Sequence, residues 1–129
     1  MKNKFVDTNI FIEVFARSGT KSQKSIKLLK DSLNLCTSSL VVSEIEWVLR
    51  YAYDMKREKI IKYIKRILSS NIEVDNKKLL VNAVHFYEAN NVDWTDCLNM
   101  FLAKESDIKE VYSYDKGIDK YTWIKRIEP

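Results

Sequence analysis

The chain has 129 residues, 46% of them hydrophobic and 31% charged, and a net charge of +4 from 22 Lys and Arg against 18 Asp and Glu. That balance excludes a disordered chain and fits a single domain, residues 1–129, around one sizeable core. No apolar run approaches the length that spans a bilayer and no signal peptide precedes the first strand, so the sequence reads as cytoplasmic, with no membrane partner.

A first strand is predicted over Asn3–Asp7, followed by a helix over Asn9–Arg17 that Ser18-Gly19-Thr20 interrupts. A second helix covers Ser22–Ser32 and a short strand Leu35–Thr37. Ser38 or Ser39 caps the next helix, Leu40–Tyr53, because a hydroxyl there accepts from an orphan backbone N–H. Glu58–Leu68 is amphipathic, with Ile60, Ile61, Ile64, Ile67 and Leu68 on one side and Lys59, Lys62 and Arg66 on the other. A weak strand at Ile72–Val74 precedes helices over Asn76–Asn90 and Trp94–Ser106, and the last strands are Glu110–Tyr114 and Trp123–Ile127. Two Gly and one Pro leave few tight turns, so helices dominate. Strands separated by helices imply a parallel sheet covered on both faces, with ligands bound beyond the carboxyl ends of its strands. Cys36 and Cys97 lack metal-ligand spacing and read as reduced core thiols.

Four acids stand out against this pattern. Asp7 ends the run KFVD and Asp115 ends EVYSYD, both at strand ends that face the crevice. Glu44 sits at the edge of the stripe Val41, Ile45, Val48 and Ala52, where a carboxylate is costly unless paired or ligated, whereas Glu46 points away and reads as solvated. Asp93 and Asp96 share a face at the start of a helix. Asp93 reads as its N-cap and as an accessory site residue, and Asp96 carries the site role although the helix dipole alone would favour an acid there. Each acid also has a plain structural reading: a cap for Asp7, a buried ion pair for Glu44, a turn residue for Asp115. Their joint placement is what those readings explain badly. With the acids turned inward, the outer surface is more basic than the net charge shows, which suits a polyanion.

These four segments resemble the PIN-domain family of nucleases, especially the VapC-like toxins. FVDTNIFIEVF resembles the family's first strand with its acid and following Asn. SSLVVSEIEWVL resembles the segment with the helical Glu. VDWTDCLNMFLAKE resembles the Asp-Ala-Leu helix with Cys97 for Ala, and VYSYDKGID the closing Thr-x-Asp strand with Ser113 for Thr. The resemblance implies a helix-rich three-layer α/β/α sandwich on a central, mostly parallel twisted sheet. It also implies catalytic and metal-holding roles for Asp7, Glu44, Asp96 and Asp115, with Asn9 and Ser113 as accessory pocket residues.

The chemistry follows from the donors. Mg²⁺, or Mn²⁺ in its place, takes oxygen ligands and needs neither His nor Cys. Two ions about 3.5–4 Å apart activate water and stabilise the leaving oxygen of a phosphodiester. Without a cation, carboxylates about 5 Å apart at an effective dielectric near 20 cost roughly 3 kcal/mol per pair, so such a site holds raised-pKa carboxyls or stays loose and wet. By family analogy the substrate is RNA cut internally, the partner an antitoxin, and the assembly a homodimer. Lys116, adjoining Asp115, is the first choice for a phosphate contact, ahead of Lys59, Lys62 and Arg66 and of Lys120, Lys125 and Arg126. Rival readings are a non-catalytic binding module on the same fold and an aspartyl-phosphate phosphatase or receiver domain. The phosphatase would want an Asp where Asn9 stands, and the receiver a Lys where Asp115 stands. A Ser–His–Asp triad would have to use His85, which lies off the Leu80–Val84–Tyr87 stripe.

Overall fold

A computed structural model describes residues 4–129; the expected start of the first strand at Asn3 lies outside them. The chain gathers into two compact units, one reaching to Lys77 and one from Lys78 to Pro129.

The first unit is built on three parallel strands, β1 (Lys4–Phe5), β2 (Leu35–Thr37) and β3 (Glu73–Val74), in the order β1-β2-β3. Cys36 pairs with Phe5 on one side and Glu73 on the other. The sheet is extended past β1 by Val6, whose N–H donates to the Cys36 carbonyl at 2.8 Å and whose own carbonyl accepts from Thr37 Oγ1 at 2.8 Å. This clamp fixes the backbone one residue before Asp7.

Four helices complete the unit: α1 (Thr8–Ala16), α2 (Thr20–Asp31), α3 (Ser39–Tyr51) and α4 (Arg57–Ser69). α1 packs against α2 and α3, and α3 against α4. α1 buries Thr8, Phe11, Ile12 and Phe15, a spacing of three and four that keeps one face inward. Phe15 stacks on Tyr63 of α4 at 4.3 Å. α2 starts at Gly19, whose φ of 120° is open to glycine at no steric cost. It buries only Ser22 and Ser25, and Ser22 Oγ donates to Glu13 on α1 at 3.0 Å. α3 is capped by Ser38, whose Oγ accepts from Val41 N at 3.1 Å. Asp75, just past β3, accepts from both Ser39 N and Ser39 Oγ. α4 buries the five apolar residues its periodicity predicts: Ile60, Ile61, Ile64, Ile67 and Leu68.

The second unit holds most of α5 (Lys77–Ala89), then α6 (Trp94–Glu105), a parallel strand pair β4 (Glu110–Tyr112) and β5 (Lys125–Ile127), and between those strands a 3₁₀ helix over Lys116–Lys120. Its core is aromatic: Phe86 stacks on Tyr121 at 5.0 Å and meets Phe101 and Trp123 edge-on. The Trp123 indole N–H donates to the Met100 carbonyl at 2.9 Å, tying the last strand's approach to α6.

The helix-rich α/β character and parallel pairing expected from the sequence are present. Most boundaries shift by one or two residues, and β2 falls on Leu35–Thr37 as expected. Among the described residues no helix is long and apolar enough to cross a membrane.

Candidate active site

The second unit holds Asp93, Asp96 and Asp115. Asp93 is the N-cap of α6, its Oδ2 accepting from Asp96 N at 3.1 Å. Asp96 stands in the first turn of α6, half-buried, and lines the same cavity as the Asp115 carboxyl. Asp115 is the N-cap of the 3₁₀ helix, its Oδ1 accepting from Gly117 N at 2.8 Å. A side chain on Gly117 would meet that carboxylate, since a Cβ there would lie 3.0 Å from Asp115 Oδ1. Ser113 Oγ accepts from Asp115 N at 3.0 Å, which sets the turn that presents the acid. The three carboxylates line one cavity of about 150 Å³ with Asn91, Val92, Gly117, Lys120 and Tyr121.

The electrostatics follow from this crowding. Burial, first, and then the neighbouring Asp115 carboxyl and the charge of Asp93 hold the Asp96 carboxyl above the usual carboxylate range. Tyr121 forms the floor. It is 1% exposed, and its hydroxyl is buried beside the Cys97 thiol with no partner at hydrogen-bonding geometry among the described residues. Burial chiefly, then the charges of Cys97 and Asp96, push its ionisation well above the ordinary phenol value. At the rim, Lys120 Nζ donates to the Asn91 carbonyl at 2.6 Å.

In the first unit the acids are presented singly. Asp7 is the N-cap of α1, its Oδ1 accepting from Thr8 N at 2.8 Å, and it is exposed, as is Asn9 on the next turn. Glu44 is exposed on α3. That corrects the sequence reading of its helix, because the inward carboxylate is Glu46, 1% exposed. Glu46 lies on the Val42–Leu49 row of the buried face, and its charge is met by Arg50 one turn on, through bonds of 2.8 and 3.1 Å. The premise that the site acids turn inward fails with it: Asp7, Glu44, Asp93 and Asp115 are all exposed, and of the five only Asp96 is half-buried.

The basic residues divide. Lys116, Lys59, Lys62 and Arg66 are exposed, and Lys59 and Arg66 lie over the Tyr63 ring at 6.0 and 5.6 Å. Arg126 is committed elsewhere: it donates to Asp119 at 3.0 Å, Glu128 at 2.6 Å and the Ser113 carbonyl at 3.1 Å. His85 is exposed on α5. Sequence reasoning passed over Tyr121 and Asn91, and its one available signal for Tyr121 was an aromatic six residues past Asp115.

Among the described residues, no three His, Cys, Asp or Glu side chains are gathered closely enough to cage a metal ion. The donor chemistry nonetheless fits a hydrated hard cation. Mg²⁺ keeps several waters and is held by one or two carboxylates, and a cavity of about 150 Å³ has room for an ion with water around it. Asp96 and Asp115 are the pair that could hold it. A larger cleft of about 520 Å³, walled by Phe11, Phe15, Ile26, Leu33 and Ile67, is lined by no carboxylate and offers no such chemistry.

A helix-rich α/β chain with carboxylates at its strand and helix tips is the kind of scaffold on which nucleases place a metal site. This one belongs to the PIN domain family, whose sequence model matches residues 4–124. That family is one of ribonucleases. A comparison with curated proteins finds no match. Among solved structures, the chain is similar to the crystal structure of Mycobacterium tuberculosis VapC20, a sarcin-ricin loop cleaving toxin. The two share 15% identity over 98% of this chain and 100% of that one, with a TM-score of 0.48. A likeness at that level says nothing of what this chain binds or cuts.

Proposed function

We propose that this protein is a metal-dependent endoribonuclease that hydrolyses RNA phosphodiester bonds, the toxin of a toxin–antitoxin pair acting in the cytoplasm. Asp7, Glu44, Asp96 and Asp115 are its catalytic and metal-holding acids, with Mg²⁺ or Mn²⁺ as the cofactor. The observation that carries the reading is the Asp96–Asp115 carboxyl pair, gathered in one cavity with Asp93 beside it. Such a pair is costly as two free anions and is relieved by a divalent cation. Membership of the PIN family and the match of all four acidic segments to its pattern support the same assignment.

The chemistry a bound divalent cation supplies is Lewis-acid activation of water and neutralisation of charge on the scissile phosphate. The chain's own residues do the rest. Asp93 holds the first turn of α6 so that Asp96 faces the cavity. Ser113 and Gly117 hold Asp115 through its backbone and its side chain. Lys116, exposed next to Asp115, contacts phosphate. Lys59, Lys62 and Arg66 offer a second, weaker phosphate surface on α4. Partners in this reading are an RNA substrate, a cognate antitoxin that blocks the acids, and a second copy of the chain.

Single Ala substitutions at Asp7, Glu44, Asp96 and Asp115, assayed on RNA, test the assignment. Each is expected to lower the cleavage rate by about 100-fold or more, the scale of losing a group that stabilises charge in the transition state. Wild-type rates in all four variants would leave the non-catalytic binding module as the surviving account.

A further inference from the structure

The cavity that holds Asp93, Asp96 and Asp115 has two walls, and one side chain joins them at the rim. One wall is the loop at Asn91 with the first turn of α6, which carries Asp93 and Asp96. The other is the 3₁₀ helix over Lys116–Lys120, with Asp115 at its N-cap. Below the rim the walls are held by packing: Tyr121, 1% exposed, stacks on Phe86 of α5 at 5.0 Å, and Trp123 donates to the Met100 carbonyl of α6. At the rim the tie is polar. Lys120 closes the 3₁₀ helix and donates from Nζ to the Asn91 carbonyl at 2.6 Å, across 29 positions of sequence. A hydrogen bond from an ammonium is about twice as strong as one between neutral groups. Its acceptor is a neutral carbonyl, so Lys120 joins the walls without tying up an acid.

We propose that Lys120 is a positioning residue: its bond to Asn91 latches the Asp115 turn to the start of α6 and sets the spacing of Asp96 and Asp115. Its effect on turnover rests on the reading of those acids as a nuclease site; the latch itself does not. Like charges oppose the closed arrangement. Asp93, Asp96 and Asp115 repel one another across a cavity of about 150 Å³, and that repulsion acts to part the walls. The bonds that place each acid stay within its own wall: Asp93 serves Asp96 N, and Asp115 serves Gly117 N. The Lys120–Asn91 bond crosses from one wall to the other. The rival use for a lysine here is a phosphate contact, and the two uses predict opposite kinetics. A phosphate anchor acts on binding. A latch acts on the rate of the bound substrate, because reacting groups displaced by about 1 Å lose about 100-fold in rate.

Lys120→Met removes the donor and keeps most of the side chain's length, and Lys120→Arg keeps a donor. The first readout needs neither RNA nor a metal ion. Amide exchange, followed by NMR on the metal-free full chain, should quicken about five- to tenfold at the Asp96 and Gly117 N–H groups in Lys120→Met, the scale of one lost hydrogen bond. The Val6 N–H, bonded within the first unit's sheet, should not change. Lys120→Arg should restore the protection. In RNA cleavage, Lys120→Met should lower kcat by about tenfold with KM within about threefold of wild type, and Lys120→Arg should recover the rate to within about threefold. Binding of a labelled oligouridylate in EDTA should keep its salt slope in Lys120→Met, whereas Lys116→Ala should flatten it by about 0.7. Unchanged exchange at both amides in Lys120→Met overturns the proposal. So does a raised KM with a flattened salt slope, which would make Lys120 a phosphate anchor instead. The two readings fail separately. Faster exchange in Lys120→Met with no cleavage by the wild type in Mg²⁺ would remove the nuclease and keep the latch. Wild-type kcat and exchange in Lys120→Met would remove the latch and keep the nuclease.

Discussion

Glu44 and Glu46, two residues apart on α3, meet opposite surroundings, and only a three-dimensional partner decides which. Both lie within four residues of apolar positions, so helical periodicity alone admits either as the inward acid. Glu46 goes in because Arg50 reaches it in two bonds and leaves no unpaired buried charge. Glu44 stays in water, where a cation or a phosphate can reach it. Asp96 is the reverse case, an acid whose surroundings oppose its charge. Its raised pKa means the folded chain holds the Asp96 proton more tightly than the unfolded chain does. The resulting stability is fully present below the ordinary value of 3.8 and is lost as pH rises through the raised value. Asp96→Asn keeps the size of the side chain and removes the charge. At neutral pH without divalent cations the variant should therefore melt about 2–5 °C above wild type, and the gap should close as pH falls toward 3.8. A gap that is constant across that range would mean Asp96 carries no such burden.

At the scale of elements, sequence reading succeeds where local chemistry decides and slips where long-range pairing does. The helix α4 was legible from five apolar residues on one face, and α3 from its serine cap. The last strand was expected from Trp123 but begins at Lys125, because the Trp123 indole turns back to Met100 and Ile124 N closes a turn onto the Tyr121 carbonyl. β4 ends at Tyr112 rather than Tyr114, since Ser113 Oγ takes the Asp115 N–H and starts the turn. The caps differ in kind, and that difference is measurable. Ser38 serves the N–H of the third residue beyond it, so Ser38→Ala should cost about 1 kcal/mol of stability in urea. Asp7 serves only the adjacent Thr8 N–H, so Asp7→Asn should cost less than about 0.5 kcal/mol by the same measurement. A cost for Asp7→Asn equal to that of Ser38→Ala would return Asp7 to a purely structural role.

At the scale of the whole chain, the family match runs across both compact units, from residue 4 to 124, and the proposed acids are shared between them: Asp7 and Glu44 in the first, Asp96 and Asp115 in the second. Asp7, Asp96 and Asp115 stand out in the sequence because each closes an apolar run or opens a helix; Glu44, in the middle of α3, stood out only through an inward reading that fails. Tyr121 and the Lys120–Asn91 contact were not legible, because a loop closing onto the start of α6 brings them to the cavity. Carboxylate donors suited a hard cation, and a basic surface around them suited a polyanion. The central claim is that these carboxylates work through that cation on RNA. Its most direct measurement is the cleavage of an end-labelled RNA by the purified chain in Mg²⁺, in EDTA, and in EDTA followed by excess Mn²⁺. The account predicts internal cuts in Mg²⁺, none in EDTA, and their return with Mn²⁺; cuts that persist unchanged in EDTA would contradict it.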